Sequence, residues 1–203
     1  MTTCTTTSKL PPYVCIDNPA CKNKHVLREL AQEVTFPLTP EVQQALSDLE
    51  AKFDSEKMIA GLAAPQIGYS YRIIIFAAPD DPVIKQFRKD LVQTMPKTIW
   101  FNPTYTPLNN EKRKDMEGCF SVEKHVGPVE RYTHIAYTAT IMEGTKITGE
   151  ATGFLARVIQ HEIDHLNGIL CMDKVKEAEK IDKKKYIAER KKLLEQIHIN
   201  QTC

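Results

Sequence analysis

Gln160-His161-Glu162-Ile163-Asp164-His165 restricts this chain more than any other stretch, because its chemistry works only on a helix. At about 3.6 residues per turn, positions i and i+4 share a helix face, so His161 and His165 can grip one metal ion. Glu162 stands roughly 100° further round. From there its carboxylate reaches a water on the ion without ligating the ion itself. A charged helix with two incidental histidines is the plain alternative. A Glu directly after the first His, however, sets a general base beside a Lewis acid, which is the equipment of a hydrolase.

The surrounding sequence frames such a helix. Thr152 is placed to cap it, the helix is predicted from about Gly153 to Leu166, and Asn167-Gly168 stops it. Phe154, Leu155, Val158 and Ile159 would seat it on a core. Upstream, a short helix is expected between His25 and Val34. Thr39-Pro40-Glu41 starts a second, and Val42, Leu46, Leu49 and Phe53 give it an apolar face to about Asp54. Gly61-Leu62-Ala63-Ala64-Pro65-Gln66-Ile67-Gly68 reads as extended backbone open to close approach.

Arg72–Ala78 and Thr98–Asn102 read as strands, with a polar loop at Asp80-Asp81-Pro82 between them. A Lys-rich loop then leads to Met116–Val122. Tyr132–Met142 and Lys146–Glu150 are further strands, joined by the turn Glu143-Gly144-Thr145. A long charged helix, placed at 174–200, has an apolar line at Ile181, Ile187, Leu194 and Ile197. The fold class that follows is α+β: a mostly antiparallel, partly open sheet packed around the central metal-site helix, with an N-terminal helix and a long C-terminal helix.

A length of 203 residues fits one domain, 1–203, with an irregular arm over 1–24. The 27 basic and 26 acidic residues leave a net charge of +1, so no global field argues for nucleic acid or membrane. No apolar run approaches the roughly 20 residues of a membrane span. Met1–Lys9 lacks an apolar stretch and the first arginine is Arg28, so neither a secretory signal nor a transit peptide is read, and a cytoplasmic home is expected. The six cysteines are irregularly spaced, which predicts reduced thiols. Cys4, Cys15, Cys21 and Cys203 fall in segments expected to be peripheral and receive no function.

A catalytic site of this kind usually takes three protein ligands and leaves one position open. Three residues compete for the third place. Cys171 stands six residues after His165, with Gly168 between; Glu189 lies further downstream; Cys119 sits in Glu117-Gly118-Cys119-Phe120-Ser121, where a preceding Gly lets the thiolate and the next backbone N–H approach a metal. Free cysteines are also often small buried hydrophobes.

Three ordered segments, Gly61-Leu62-Ala63-Ala64-Pro65-Gln66, Glu117-Gly118-Cys119-Phe120-Ser121 and Gln160-His161-Glu162-Ile163-Asp164-His165, resemble the motifs of the peptide deformylase family over about residues 25–175. The resemblance implies metal ligands Cys119, His161 and His165, Glu162 as general acid/base, and Gln66 as a donor to the oxyanion, with the Phe120 backbone N–H beside it. It implies removal of the formyl group from N-formylmethionine at the start of new polypeptides, and Fe2+ as cofactor, with Zn2+, Ni2+ or Co2+ as substitutes. Ala60 and Gly61 would pair with substrate as an added strand; Phe154 and Val158 would line a pocket for the methionine side chain. Asp164 would orient a ligand or lie exposed, and Arg157 would sit at the rim or in solvent.

Departures from the family pattern are Ile59, where a Gly is usual, and Val126, where some members carry Arg. Arg131 is retained and is expected to pair with Glu117. The basic C-terminal helix, with Lys183-Lys184-Lys185 and Arg190-Lys191-Lys192, is a candidate ribosome contact. The rivals are a peptidase using Cys171 or Glu189 as third ligand, and a metal-stabilised binding module.

Overall fold

The computed structural model describes residues 10–57 and 59–201, with side chains to Lys192. Cys4, Cys203, Leu194 and Ile197, named in the sequence analysis, therefore lie outside the described side chains. In chain order the elements are α1 (Pro40–Ser55), β1 (Gly61–Ala63), β2 (Ile73–Ala78), α2 (Pro82–Phe87), β3 (Met95–Pro107), β4 (Lys112–Cys119), β5 (Val122–Tyr132), β6 (His134–Thr140), β7 (Lys146–Thr152), α3 (Gly153–Leu166), β8 (Ile181–Asp182) and α4 (Lys183–Gln201). Two antiparallel sheets result, one ordered β1-β2-β3-β6-β7 and the other β4-β5-β8.

Strand alternation decides what each sheet face meets. Ile73 and Ile75 of β2 join Leu46, Leu49 and Phe53 of α1 in one cluster. The intervening Ile74 and Phe76 face the other way, onto Leu155, Ile159 and Ile163 of α3. Successive side chains of a strand point to opposite faces, so a run of four apolar residues in β2 serves both layers. The register carries the pattern into β3, where Trp100 opposite Ile74 joins the α3 side and Phe101 opposite Ile73 joins the α1 side. The sheet is thus sandwiched between α1 and α3, and α3 is buried on nearly every side.

The start of α1 follows the sequence: Thr39 Oγ1 accepts from the Val42 N–H at 3.4 Å, with Pro40 in the first turn. At α3 the expected cap fails. The Thr152 hydroxyl makes no cap bond; its N–H donates to Gln93 Oε1 at 2.9 Å instead. Gly153, at φ +56°, makes the turn into the helix, and a Cβ there would overlap the Asp90 carbonyl.

Other expectations are corrected. The helix placed between His25 and Val34 is one 3₁₀ turn, Lys24–Leu27. Gly61–Gly68 is extended only through Ala63, then turns as 3₁₀ helix to Ile67 and ends at Gly68, φ +94°. The polar loop at Asp80-Asp81-Pro82 holds α2, whose Asp81 carboxylate caps the Val83 and Ile84 N–H groups. The Lys-rich loop is strand β4, since its charged side chains face solvent while the backbone pairs with β5. Helix 174–200 begins only at Lys183; Ile181 lies in β8, and Ile181 and Ile187 are exposed rather than packed. No helix among the described residues is long and apolar enough to cross a membrane.

Candidate metal centre

Helix α3 presents a polar stripe toward the β4–β5 turn. His161 Nε2 and His165 Nε2 stand 3.3 Å apart, and Cys119 Sγ lies 3.2 Å from His165 Nε2. These three ligand atoms all fall within 4.8 Å of one another. Cys119 arrives at the end of β4, where Phe120 and Ser121 turn the chain so that Cys119 pairs with Val122. The sulfur also accepts from the Ser121 N–H at 3.3 Å and Gln66 Nε2 at 3.2 Å. Burial alone would raise the Cys119 thiol; a bond from Cys171 and the neighbouring imidazoles overcome it and hold Cys119 well below its usual pKa. One thiolate and two imidazoles aimed at a common point form a donor set that fits a soft or borderline divalent ion.

Of the rival third ligands, Cys171 is a neighbour of the site. Its thiol bonds to Cys119, and that bond with burial pushes its pKa far up, so it stays protonated. Glu189 is exposed on α4 and lies outside the cluster.

Behind the histidines, Glu117 gathers four hydrogen bonds on one carboxylate. Oε1 accepts from Arg131 Nε at 3.0 Å and Arg157 Nη1 at 2.7 Å; Oε2 accepts from Arg131 Nη2 at 2.8 Å and His161 Nδ1 at 2.9 Å. Burial would raise this carboxyl, but the His161 ring and Arg131 overcome it and hold Glu117 well below the usual range. The pairing of Arg131 with Glu117 is thus present, and Arg131 also bonds to Asp164. Asp164 is buried and touches Lys174 as well, so it is no surface charge; it braces Arg131, and through Arg131 the Glu117 carboxylate behind His161. Arg157 is likewise buried, spanning Glu117, the Val129 carbonyl and the Arg113 carbonyl. It lines the inner wall of the cleft, and neither expectation, rim or solvent, holds for it.

Glu162 is almost fully buried, and its Oε2 has no hydrogen-bond partner among the described residues. Burial pushes its carboxyl up to about 7. Its carboxylate lies against Gly61: a Cβ at that position would stand 2.7 Å from Glu162 Cδ. Both open onto a cleft of about 220 Å³ lined also by Ala60, Gln66, Phe120, Phe154 and Val158. The structure therefore brings together every predicted site residue: Cys119, His161 and His165 at the ligand cluster, the others around the cleft. Gln66 fixes its own carboxamide by accepting the Ala63 N–H on Oε1 at 2.8 Å, which turns Nε2 toward Cys119.

Two features escaped the sequence. Arg88 at the end of α2 lines the cleft, stacked 4.4 Å over the Phe154 ring and tied to Asp90 and Asp115. The Asp81-Pro82 helix start was the available signal. Cys15, expected to be peripheral, is buried, with its thiol 3.3 Å from the Phe120 carbonyl. Val126 is buried too, opposite Ile181 of β8, so no cation stands where some family members carry Arg.

The polypeptide deformylase family model matches residues 18–181. "Peptide deformylase 2" of Rickettsia conorii is 48% identical over 192 residues, covering 94% of this chain and 95% of that protein. "Peptide deformylase 1" of Nitrosomonas europaea is 42% identical over 132 residues, or 65% of this chain and 72% of the other. Among solved structures, a class I type b peptide deformylase from Acinetobacter baumannii with Met-Ala-Ser bound superposes with a TM-score of 0.68 at 27% identity, covering 83% of this chain and 99% of that one. A peptide deformylase from Synechococcus elongatus in complex with actinonin gives 0.65 at 28% identity, covering 84% of this chain and 83% of that one.

Proposed function

This chain belongs to the peptide deformylase family, and from that premise we propose which of its residues perform the reaction, the metal-dependent removal of the N-formyl group from nascent polypeptides. The observation that carries the assignment is the convergence of Cys119, His161 and His165 beside a buried carboxylate with a free oxygen. Cys119, His161 and His165 would hold an Fe2+ ion, for which Zn2+, Ni2+ or Co2+ would substitute. A bound ion would supply Lewis acidity, polarising the formyl carbonyl and making a water at the site easier to deprotonate.

Glu162 takes the proton of the attacking water at a carboxylate oxygen and later delivers it to the leaving amine. Burial raises this carboxyl above the ordinary carboxylate range, which favours its taking up the proton. Gln66 Nε2 and the Phe120 N–H donate to the formyl oxygen as its charge develops; each such donor is worth on the order of 10²–10³ in rate. The methionine side chain lies against Phe154 and Val158. Substrate backbone adds to Ala60 and Gly61, since β1 is the edge strand of its sheet. Met-Ala-Ser in the Acinetobacter relative supports a peptide beginning with methionine.

The chain works as one catalytic domain in the cytoplasm, where formylated chains emerge. Exposed Lys184, Lys185, Lys191 and Lys192 of α4 give the ribosome contact. Lys183 is excluded from it, because its Nζ is taken by the Cys119 and Val122 carbonyls.

Turnover of formyl-Met-Ala-Ser by protein purified anaerobically with Fe2+, beside Glu162→Ala, tests the assignment. Formate from the parent protein alone supports it. Equal formate from both would remove Glu162 from the mechanism.

A further inference from the structure

The two proposed oxyanion donors come from separate sheets: Gln66 follows β1, and Phe120 lies in the β4–β5 turn. Their spacing must hold to a fraction of an ångström for both to reach one oxygen. The N-terminal arm, read from sequence as irregular, spans the two. The Val14 N–H donates to the Gln66 carbonyl at 2.8 Å and the Ile16 N–H to the Ser121 carbonyl at 2.9 Å. Between them the Cys15 thiol reaches the Phe120 carbonyl.

Each end of this span is anchored. The Tyr13 ring stacks on Phe120, centroids 4.5 Å apart and 10° from parallel, while its hydroxyl donates to Glu56 at 3.0 Å and Lys52 Nζ lies 4.1 Å from its ring. Asp17 accepts the Glu123 and Lys124 N–H groups, each at 2.9 Å, at the start of β5. Tyr13 thus joins α1 to the turn, and Asp17 ties the same arm to the strand that leaves it.

We infer that residues 13–17 form a positioning strap that sets the distance between Gln66 and the Phe120 backbone, with Tyr13 and Asp17 as its fixing points. The inference rests on the proposed roles of those two donors. Val14 and Ile16 share an apolar cluster with Cys119, but no strap residue belongs to the set of ligand atoms at Cys119, His161 and His165, so the strap governs rate more than metal loading. Donors engaged only in the transition state change kcat and leave KM nearly alone.

The test compares Tyr13→Ala, Asp17→Ala and Tyr13→Phe in the full-length Fe2+-loaded protein. Three quantities are read: metal per chain, kcat and KM on formyl-Met-Ala-Ser, and amide exchange of residues 119–122. The two alanine variants are expected to keep their metal and a KM within about twofold. Their kcat should fall on the order of tenfold and the turn amides exchange on the order of tenfold faster. Tyr13→Phe, which keeps the stack on Phe120 but loses the bond to Glu56, should fall between the parent and Tyr13→Ala. Unchanged kcat and exchange in both alanine variants would overturn the strap, as would a loss confined to KM. Gln66→Ala separates the two layers of the argument. If it leaves kcat intact the donor reading fails, and turn exchange alone then decides: faster in the alanine variants supports the strap, unchanged overturns it.

Discussion

His161 Nδ1 stands 2.9 Å from Glu117 Oε2, and this hydrogen bond fixes which ring nitrogen faces the cluster. With the proton held on Nδ1, Nε2 is left as a lone-pair donor beside His165 Nε2 and Cys119 Sγ. Glu117 can serve in this way because the His161 ring and Arg131 keep it ionised at almost no exposure, with Arg157 bonded to the same carboxylate.

Glu117→Gln is the first variant to follow from that bond. It should weaken metal affinity about 10–100-fold, the range for losing a carboxylate behind a ligating histidine. It also leaves Arg131 and Arg157 short of a buried counter-charge, a loss on the order of 3–5 kcal/mol. Metal titration and urea unfolding measure the two effects separately; unaltered affinity would contradict the proposed orientation of His161.

Gly61→Ala tests the packing of Glu162 on bare backbone. The added methyl would overlap the carboxylate, which must then move away from the cleft. A displacement near 1 Å costs on the order of 10²-fold in rate. Metal content should stay at the parental level, because Gly61 touches no ligand. A variant with parental kcat would show that Glu162 does not act from its observed position.

Cys119→Ser and Cys171→Ser separate the ligand from its neighbour. The first should lose bound metal, since a hydroxyl is a far poorer donor to a soft ion than a thiolate. The second removes only a thiol that donates to the ligand sulfur, and should retain the metal. Metal analysis after gel filtration reads both, and the reverse pattern would favour the peptidase-like ligand set.

Asp17 gives a stability change with a defined sign. Burial raises its carboxyl, but the Glu123 and Lys124 amides prevail, and the folded pKa lies below the usual value. A depressed folded pKa contributes stability above the unfolded value of about 3.9 and loses it as pH falls through the folded one. The parent protein should therefore lose more stability than Asp17→Ala as pH drops from about 5 to 3. Parallel stability curves would show that the carboxylate contributes nothing.

Much of this arrangement was legible in the chain. The i, i+4 spacing of His161 and His165 put both imidazoles on one face, and Thr39-Pro40-Glu41 marked the start of α1. The alternation in Ile73–Phe76 was harder to read, because a strand buried on both faces shows no polar partner set. Strand β4 was hidden for the opposite reason: Lys112, Arg113 and Lys114 are exposed, and only pairing with β5 makes that segment a strand.

By itself the sequence determined the chemistry available: two imidazoles, a carboxylate at the next position, and a cysteine that a preceding glycine lets approach closely. These depend on local periodicity and on which atoms each side chain carries. Only the tertiary structure brought Cys119 beside His161 and His165 with Cys171 behind it, added Arg157 to the expected pair of Glu117 and Arg131, and drew the arm at Tyr13–Asp17 across the loops of Gln66 and Phe120. Those choices join residues more than ten and often a hundred positions apart. They are made by sheet register and buried charge balance, neither of which a local spacing encodes.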